Sequence, residues 1–329
     1  MPSARLLRLL PVAAVVALAT AGCGGEQDPP AAAPQFASAS VAPSSAAAPP
    51  PSSAPPSPSP TSAAPVTIPA GVTAGIVVYD REAAAFVLQQ KGAWRFRSAS
   101  LVKLLIALDY FWNKGPAYSV PAGDQPKLQI MLRSSDDSAA TALWKANGQR
   151  EIVNRMVKRL GLQDTEPPPV SQPGYWGYTA VSAGDLVRVY QYILDKAPAP
   201  VREFIMGNLH QTTKCGTDHY DQSFGIPSVF KAPRAAKQGW SGFGDNPATP
   251  CVANAGYSGA PGAFVPAAAA PNKPDMMGEV LHTTGTVGEN DRYIVAVLSV
   301  HPDGSQFAKA AANLTKIVKA LPLPASTRL

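Results

Sequence analysis

The amino-acid sequence predicts an α+β domain in which an antiparallel β-sheet carries a helical subdomain. Two short strand-like segments open the region that follows residue 67, and a long series of helical segments comes next. Three strand-like segments and one helix then end the chain. Strands grouped at both ends of a domain favour a sheet in which early and late strands meet, with helices inserted between them. We therefore expect five antiparallel strands.

The expected strands are short segments bounded by turn residues. Residues 74–80 and 85–90 predict two strands joined by a turn. Because both segments are short and close in sequence, they are expected to form a hairpin. The late strands are predicted at residues 235–240, 279–287 and 293–300.

The expected helices are longer segments with apolar residues at helical spacing. Residues 101–112 contain no Gly or Pro and are mostly apolar, which predicts a buried helix that begins at Ser100. Residues 242–275 are rich in Gly, Ala and Pro and predict a long exposed loop. Further helices are predicted at residues 128–132, 138–146, 150–160, 183–194, 201–209 and 307–321.

The N-terminus predicts an export signal over residues 1–22. It begins with Arg5 and Arg8 and continues with an apolar run, residues 9–19, that is too short to cross a bilayer. The run ends in Thr20-Ala21-Gly22-Cys23, which resembles the lipobox of bacterial lipoproteins. This resemblance implies that Cys23 is diacylated and becomes the first mature residue, and an ordinary cleaved signal is the alternative. We expect a protein anchored by lipid to the extracytoplasmic face of the cell membrane.

The mature chain is predicted to have a linker and one domain. Residues 23–67 begin at the lipidated Cys23 and are dominated by Pro, Ala and Ser, which predicts a disordered spacer. Residues 68–329 contain no internal repeat and no second linker, so one domain is expected, and it is expected to be a monomer. The formal net charge of +6 is mild and its Lys and Arg residues are scattered, which argues against a nucleic-acid partner.

The three cysteines divide into two groups. If Cys23 carries lipid, Cys215 and Cys251 remain, and an oxidising compartment favours a disulfide between them. The four histidines have no spacing typical of metal ligands, and the sequence contains no Cys-x-x-Cys motif. We expect no metal and no other cofactor.

Ser100 and Lys103 form the first of three short motifs with chemical potential. On a helix that begins at Ser100, the two side chains lie one turn apart on one face, so the amine can hydrogen-bond the hydroxyl. The positive end of the helix dipole would also favour an alkoxide at Ser100. The alternative is a helix-capping Ser followed by a solvated Lys, but Lys103 lies within an otherwise apolar run.

The other two motifs follow later in the chain. Ser134-Ser135-Asp136-Asp137 precedes a predicted helix, and its Asp residues could simply cap that helix. Lys237-Gln238-Gly239-Trp240 lies on the first late strand, where a strand-end Lys and a Gly bulge are the structural alternative.

The order of these motifs, Ser-x-x-Lys, then Ser-Asp-Asp, then Lys-x-Gly on a late strand, resembles the serine β-lactamase and penicillin-binding-protein superfamily. It is most similar to the class A β-lactamase-like serine hydrolase lipoproteins of actinobacteria. The resemblance covers the whole predicted domain and implies a three-layer β-lactamase/transpeptidase-like fold. It also implies an acyl-enzyme formed with a β-lactam or with a D-alanyl peptide of the cell wall.

The resemblance implies a role for each matched residue. Ser100 would attack a carbonyl, Lys103 would take its proton, and Ser135 would relay a proton to the leaving nitrogen. Lys237 would hold a substrate carboxylate and support Ser135. The backbone N–H groups of Ser100 and Trp240 would form the oxyanion hole. The substrate-binding residues would be Asp137, Gln238, Gly239 and Trp240.

Three positions depart from the family pattern. Asp137 stands where the family usually has Asn, and an ionised Asp cannot donate a hydrogen bond. Its charge should also favour the charged form of the neighbouring lysines, which makes Lys103 a poorer general base. Gln238 stands where the family has Thr or Ser. Glu166 matches the Glu-Pro of the class A Ω-loop only superficially, and we expect it to be exposed on a Pro-rich loop.

These departures keep a second hypothesis open, in which the chain is a catalytically impaired lipoprotein that binds peptidoglycan with the same fold. A purely structural tethered lipoprotein is a third possibility, which does not account for the three ordered motifs. Residues 176–179, Trp-Gly-Tyr-Thr, could line a cleft or pack a helix, and the sequence favours neither.

Overall fold

The computed structural model describes residues 63–252 and 278–329. The predicted signal at residues 1–22, Cys23 and nearly all of the predicted linker lie outside the described residues. So does most of the loop predicted at residues 242–275. No helix in the two described ranges is long and apolar enough to cross a membrane.

A five-stranded antiparallel sheet lies at the centre of the domain, as predicted. Its strands are β1 (Thr73–Asp80), β2 (Ala85–Gln90), β5 (Arg234–Ser241), β6 (Glu279–Val287) and β7 (Tyr293–His301). They lie in the order β2-β1-β7-β6-β5, so the early strands meet the late ones and β5 lies at an edge. A separate pair of three-residue strands, β3 (Arg95–Arg97) and β4 (Ala180–Ser182), was not predicted, because three residues are too few to show a period.

The helical subdomain lies between β3 and β5 in the sequence. Its helices are α1 (Lys103–Trp112), α2 (Gln125–Arg133), α3 (Asp137–Ala146), α4 (Arg150–Leu160), α5 (Ala183–Gln191) and α6 (Ala199–His210). Two more helices, α7 (Ile226–Val229) and α8 (Phe307–Lys319), pack elsewhere on the sheet. All the helices predicted from the sequence are present, and among the α-helices of residues 63–252 and 278–329 only the short α7 was not predicted.

The two faces of the sheet are buried by different layers. Along β1, Val77 packs among residues of the helical subdomain, whereas Ile76 and Val78 pack with α7 and α8. Successive side chains of a strand point to opposite faces, so an almost continuous apolar strand is what a sheet covered on both sides requires. The resulting three layers confirm the predicted fold class.

The structure corrects the predicted start of the first helix. Ser100 does not begin an α-helix: it lies in a 3₁₀ turn, Ala99–Val102, and α1 begins only at Lys103. The helix predicted at residues 183–194 is also interrupted, because α5 ends at Gln191 and a π-helical turn, Tyr192–Lys196, follows it.

Candidate active site

Ser100 and Lys103 meet at the junction of the 3₁₀ turn and α1. Ala99, which precedes Ser100, has a φ of 46°, in the left-handed region that residues with a side chain rarely adopt. The tight turn places the Ser100 hydroxyl oxygen, Oγ, 2.8 Å from the Lys103 amine nitrogen, Nζ. Ser100 is 6% exposed and Lys103 is fully buried, so the pair forms the floor of the site.

Lys103 Nζ donates three hydrogen bonds. Besides Ser100 Oγ, it donates to the backbone carbonyl of Ser135 at 2.6 Å and to a carboxylate oxygen of Asp137 at 2.5 Å. An ammonium group has three donors, and all three are matched by acceptors. Lys103 thus lies in an ion pair with Asp137, and the same Nζ atom donates to the Ser100 hydroxyl.

Ser135 lies between α2 and α3. Its φ of 59° turns the chain so that its carbonyl meets Lys103 while its hydroxyl accepts a hydrogen bond of 2.7 Å from Lys237 Nζ. The following residue, Asp136, caps α3 by accepting from the backbone N–H of Ala139 at 2.6 Å. The capping alternative thus applies to Asp136 and leaves Ser135 and Asp137 to face the site.

Lys237 approaches from the edge strand β5 and is 1% exposed. Burial, and after it the charge of Lys103, lower the pKa of Lys237 well below its ordinary value of 10.5, although Asp137 and Asp218 act in the opposite direction. Its Nζ donates to Ser135 Oγ and to the carbonyl of Gln238 at 3.2 Å. The structure thus brings together the four residues that the motifs place in catalytic roles: Ser100, Lys103, Ser135 and Lys237.

The predicted substrate-binding residues of β5 separate into two groups. Gln238 is fully buried, and its amide donates to the carbonyls of Gln222 at 3.1 Å and Phe224 at 2.6 Å. Its amide group is therefore hydrogen-bonded in the protein interior, and the side chain does not reach the Ser100 side of β5. At Gly239, a Cβ atom would lie 3.0 Å from the carbonyl oxygen of Ser98. The absence of a side chain therefore lets β5 lie close to the 3₁₀ turn that carries Ser100.

Trp240 is held by a carboxyl group that the motifs did not predict. Its indole Nε1 donates to Asp218 at 2.9 Å. Burial raises the pKa of Asp218, and the nearby negative charge of Asp137 acts in the same direction. Although Asp218 and Asp137 are 81 positions apart by their numbering, their charges interact at this site.

A disulfide between Cys215 and Cys251, as predicted, closes the segment that carries Asp218. The backbone N–H of Cys251 donates to the carbonyl of His219 at 2.7 Å, and the N–H of Thr217 donates to the carbonyl of Ser134 at 3.0 Å. The segment is therefore attached both to the disulfide partner and to the Ser-Ser-Asp-Asp motif. The two cysteines predict the disulfide from the sequence, but they do not predict the backbone hydrogen bonds that this segment makes to the Ser-Ser-Asp-Asp motif.

Glu166 lies away from these residues, as expected. Its side chain is 53% exposed and forms an ion pair with Arg95 at 2.5 Å. Preceding residues are fixed by the buried Asp185, which accepts from the backbone N–H of Asp164 at 2.7 Å and from the hydroxyl of Thr165 at 2.8 Å. The described Glu166 makes no contact with the Ser100 and Lys103 pair.

Trp176 lies beside Lys103. It is the first residue of the segment 176–179, for which the sequence allowed either a place in a cleft or packing against a helix. The ring centroid is 4.7 Å from Lys103 Nζ, and the indole Nε1 donates to Thr141 Oγ1 at 3.1 Å. Trp176 therefore lies at the site, whereas Gly177 and Tyr178 are buried. Sequence spacing could not reveal this contact, because 73 positions separate the two residues by their numbering.

Comparison with solved structures identifies the fold. The chain is similar to the structure of a PBP-A mutant in an acyl-enzyme complex with penicillin G, with a TM-score of 0.53 and 14% identity over 77% of this chain and 89% of the other. A class A β-lactamase from Mycobacterium abscessus gives a TM-score of 0.51 and 14% identity over 76% and 92%. The protein thus has the β-lactamase/transpeptidase-like fold that its motifs predicted.

Comparison with curated proteins identifies the family, although no family model matches the chain. The relatives are "Putative lipoprotein LppW" of Mycobacterium tuberculosis H37Rv and of Mycobacterium bovis. Each is 30% identical over 257 residues, which cover 76% of this chain and 70% of the relative. The chain belongs to the LppW family.

Proposed function

We propose that this protein is an exported, lipid-anchored serine enzyme of the β-lactamase and penicillin-binding type, which forms an acyl-enzyme at Ser100. The observation that carries the proposal is the hydrogen-bonded series from Ser100 Oγ through Lys103 and Ser135 to Lys237. All four side chains are at most 6% exposed, so their charges and hydrogen bonds act in a site of low polarity.

The proposed acylation begins when Lys103 is in its amine form. Ser100 Oγ attacks the carbonyl carbon of the substrate, and its proton passes to Lys103 Nζ, which lies 2.8 Å away. The carbonyl oxygen becomes an oxyanion, which the backbone N–H groups of Ser100 and Trp240 would stabilise. Collapse of this intermediate breaks the carbon–nitrogen bond, and Ser135 gives its proton to the leaving nitrogen. Ser135 would be reprotonated through Lys237, the donor to its hydroxyl.

The proposed substrates are a β-lactam or a D-alanyl peptide of the cell wall. The support is the fold, which the chain shares with a solved penicillin acyl-enzyme, together with the four convergent residues. Lys237 and the backbone N–H of Trp240 would contact the substrate, and Gly239 would let β5 lie close to the turn that carries Ser100. The structure gives no such support for the Gln238 side chain, because its amide is bonded to Gln222 and Phe224.

Labelling with a fluorescent penicillin tests the proposal directly. The full-length protein in detergent is expected to carry one covalent label, with a mass increase equal to one penicillin. Ser100→Ala should carry none, because the attacking oxygen is absent. Ser98→Ala, which removes a nearby hydroxyl bonded to the carbonyls of Ala99 and Gly177, is the matched control and should still be labelled. An unlabelled wild type, or equal labelling of Ser100→Ala, would overturn the proposal.

A binding protein with impaired catalysis is the second candidate, and the contact between Lys103 and Asp137 favours it. The carboxylate is 2.5 Å from Nζ, so the group that would act as the base is engaged in an ion pair. This candidate expects affinity for peptidoglycan fragments without covalent labelling. Equilibrium binding of a muropeptide to wild type, measured together with penicillin labelling of the same protein, separates the two, because a binding protein keeps the affinity and carries no label.

The anchor at Cys23 belongs to the same proposal. It is supported by the motif at residues 20–23 and by the lipoprotein name of the relatives. Growth with an alkyne-bearing palmitate analogue should label the wild-type protein and leave Cys23→Ser unlabelled. Retention of the label in Cys23→Ser would exclude Cys23 as the lipid attachment site.

A further inference from the structure

One side of Lys103 is covered by an aromatic ring rather than by a polar group. The ring of Trp176 has its centroid 4.7 Å from Lys103 Nζ, a distance typical of a cation–π contact. Lys103 Nζ is in turn 2.8 Å from Ser100 Oγ. The indole therefore lies next to the two atoms that any reaction at Ser100 would use.

The position of this ring is fixed from two directions. Its Nε1 donates to Thr141 Oγ1 on α3 at 3.1 Å, which orients the plane of the indole. The backbone after it is attached to the nucleophile turn, since the N–H of Ser98 donates to the carbonyl of Thr179 at 2.8 Å. At Gly177, an added Cβ would lie 3.7 Å from Ala99 Cα, so the two segments are in close contact.

Hydrolysis of an acyl-enzyme needs a water molecule beside the acyl carbon and a group that accepts its proton. Glu166, the carboxylate whose sequence surroundings most resemble a hydrolytic Glu, is 53% exposed and paired with Arg95. The indole N–H of Trp176 is a donor only, and it is already bonded to Thr141. Trp176 thus presents Lys103 with an apolar ring that can neither hold a water molecule nor accept its proton.

We infer that Trp176 shields the Ser100 ester from water and so determines that the acyl-enzyme is long-lived. This inference rests on the proposed function. Hydrolysis would form a bond from the water oxygen to the acyl carbon, break the bond to Ser100 Oγ, and return one water proton to Oγ. Trp176 slows this step by occupying space next to Lys103. The acylation step is left to Ser100 and Lys103.

The experiment separates formation of the adduct from its loss. Full-length wild type and Trp176→Ala are acylated with benzylpenicillin, excess drug is removed, and the adduct is followed by intact-protein mass spectrometry. Trp176→Ala is expected to lose the adduct at least about 10-fold faster than wild type. The loss is followed from adduct that has already formed, so a change in the acylation rate does not enter the comparison. Trp176→Phe keeps an aromatic ring and is the matched control, expected to retain slow loss.

Each outcome bears on a different statement. If wild type forms no adduct, the proposed function fails and this inference fails with it. If wild type forms the adduct and Trp176→Ala loses it no faster, the inference alone fails. A parallel fall of both rates would mean that the ring only supports the fold, which also overturns the inference. Should Trp176→Ala unfold, Trp176→Leu fills less space than the indole and is expected to accelerate loss in the same direction.

Discussion

The two sides of the Ser100 and Lys103 pair differ in chemical character. On one side lie hydroxyl, amine and carboxylate groups from Ser135, Lys237 and Asp137. Lys103 Nζ donates to the carbonyl of Ser135 at 2.6 Å and to Asp137 at 2.5 Å, and Lys237 Nζ donates to Ser135 Oγ at 2.7 Å. On the other lies the ring of Trp176. The first side offers donors and acceptors for moving a proton to a leaving group, and the second offers an apolar surface. In the mechanism proposed above, bond formation at Ser100 and release of the acyl group would therefore be controlled by separate residues.

The largest expected effect is on the polar side, at Lys237. Lys237→Met keeps the length of the side chain but removes the donor to Ser135 Oγ. We expect the rate of acylation by benzylpenicillin to fall about 100-fold or more, because a positioned proton donor contributes on this order. The expected fall in rate is checked by stopped-flow measurement of adduct formation. Lys231→Met, at an exposed position, should acylate like wild type.

The same variant tests the lowered pKa of Lys237. Between that lowered value and the ordinary value of 10.5, the unfolded chain binds more protons at Lys237 than the folded protein does, so this residue makes stability rise with pH. Lys237→Met should lack that contribution. Urea unfolding from pH 7 to pH 10 should therefore give a smaller rise in the free energy of unfolding for Lys237→Met than for wild type. An equal rise in the free energy of unfolding for the two proteins would contradict a lowered pKa of Lys237.

A smaller effect of opposite sign is expected at Asp137. Asp137→Asn keeps an oxygen that can accept from Lys103 Nζ but removes the negative charge, so the ion pair that engages Lys103 is lost. We expect acylation to become about 3- to 10-fold faster near neutral pH. Adduct formation measured across pH checks this, with Asp195→Asn, whose carboxylate pairs with Arg81, as the control. Slower acylation would indicate that the carboxylate serves the reaction.

The smallest effect is expected behind the aromatic side, at Thr141. Thr141→Val keeps the shape of the side chain but removes the acceptor of the Trp176 indole N–H. Loss of one such hydrogen bond, worth about 1 kcal/mol, should let the ring move and speed loss of the penicillin adduct by about 2- to 5-fold. The measurement is adduct lifetime, with Thr327→Val near the C-terminus for comparison. An unchanged lifetime would show that packing alone holds the ring.

The polar side was predicted from the sequence, because Ser100, Lys103, Ser135 and Lys237 lie in ordered motifs. The inward direction of Gln238 was not predicted, although a signal existed: neighbours on a strand point to opposite faces, so Gln238 should face away from Lys237. The contacts of Trp176 and Asp218 depend on how loops pack. No period or local spacing in the chain determines these contacts.

Ala99 and Ser135 have consequences for how this domain responds to random change. Left-handed backbone conformations at residues with side chains cost on the order of 1 kcal/mol or more each, and here they occur beside the nucleophile and at the hydroxyl partner of Lys237. Glycine would adopt the same angles without that cost. Selection for heat resistance alone would therefore favour Gly at these positions. The same replacement would loosen the turn beside Ser100 or delete the Ser135 hydroxyl, so thermal stability and the proposed chemistry make opposite demands on these two positions.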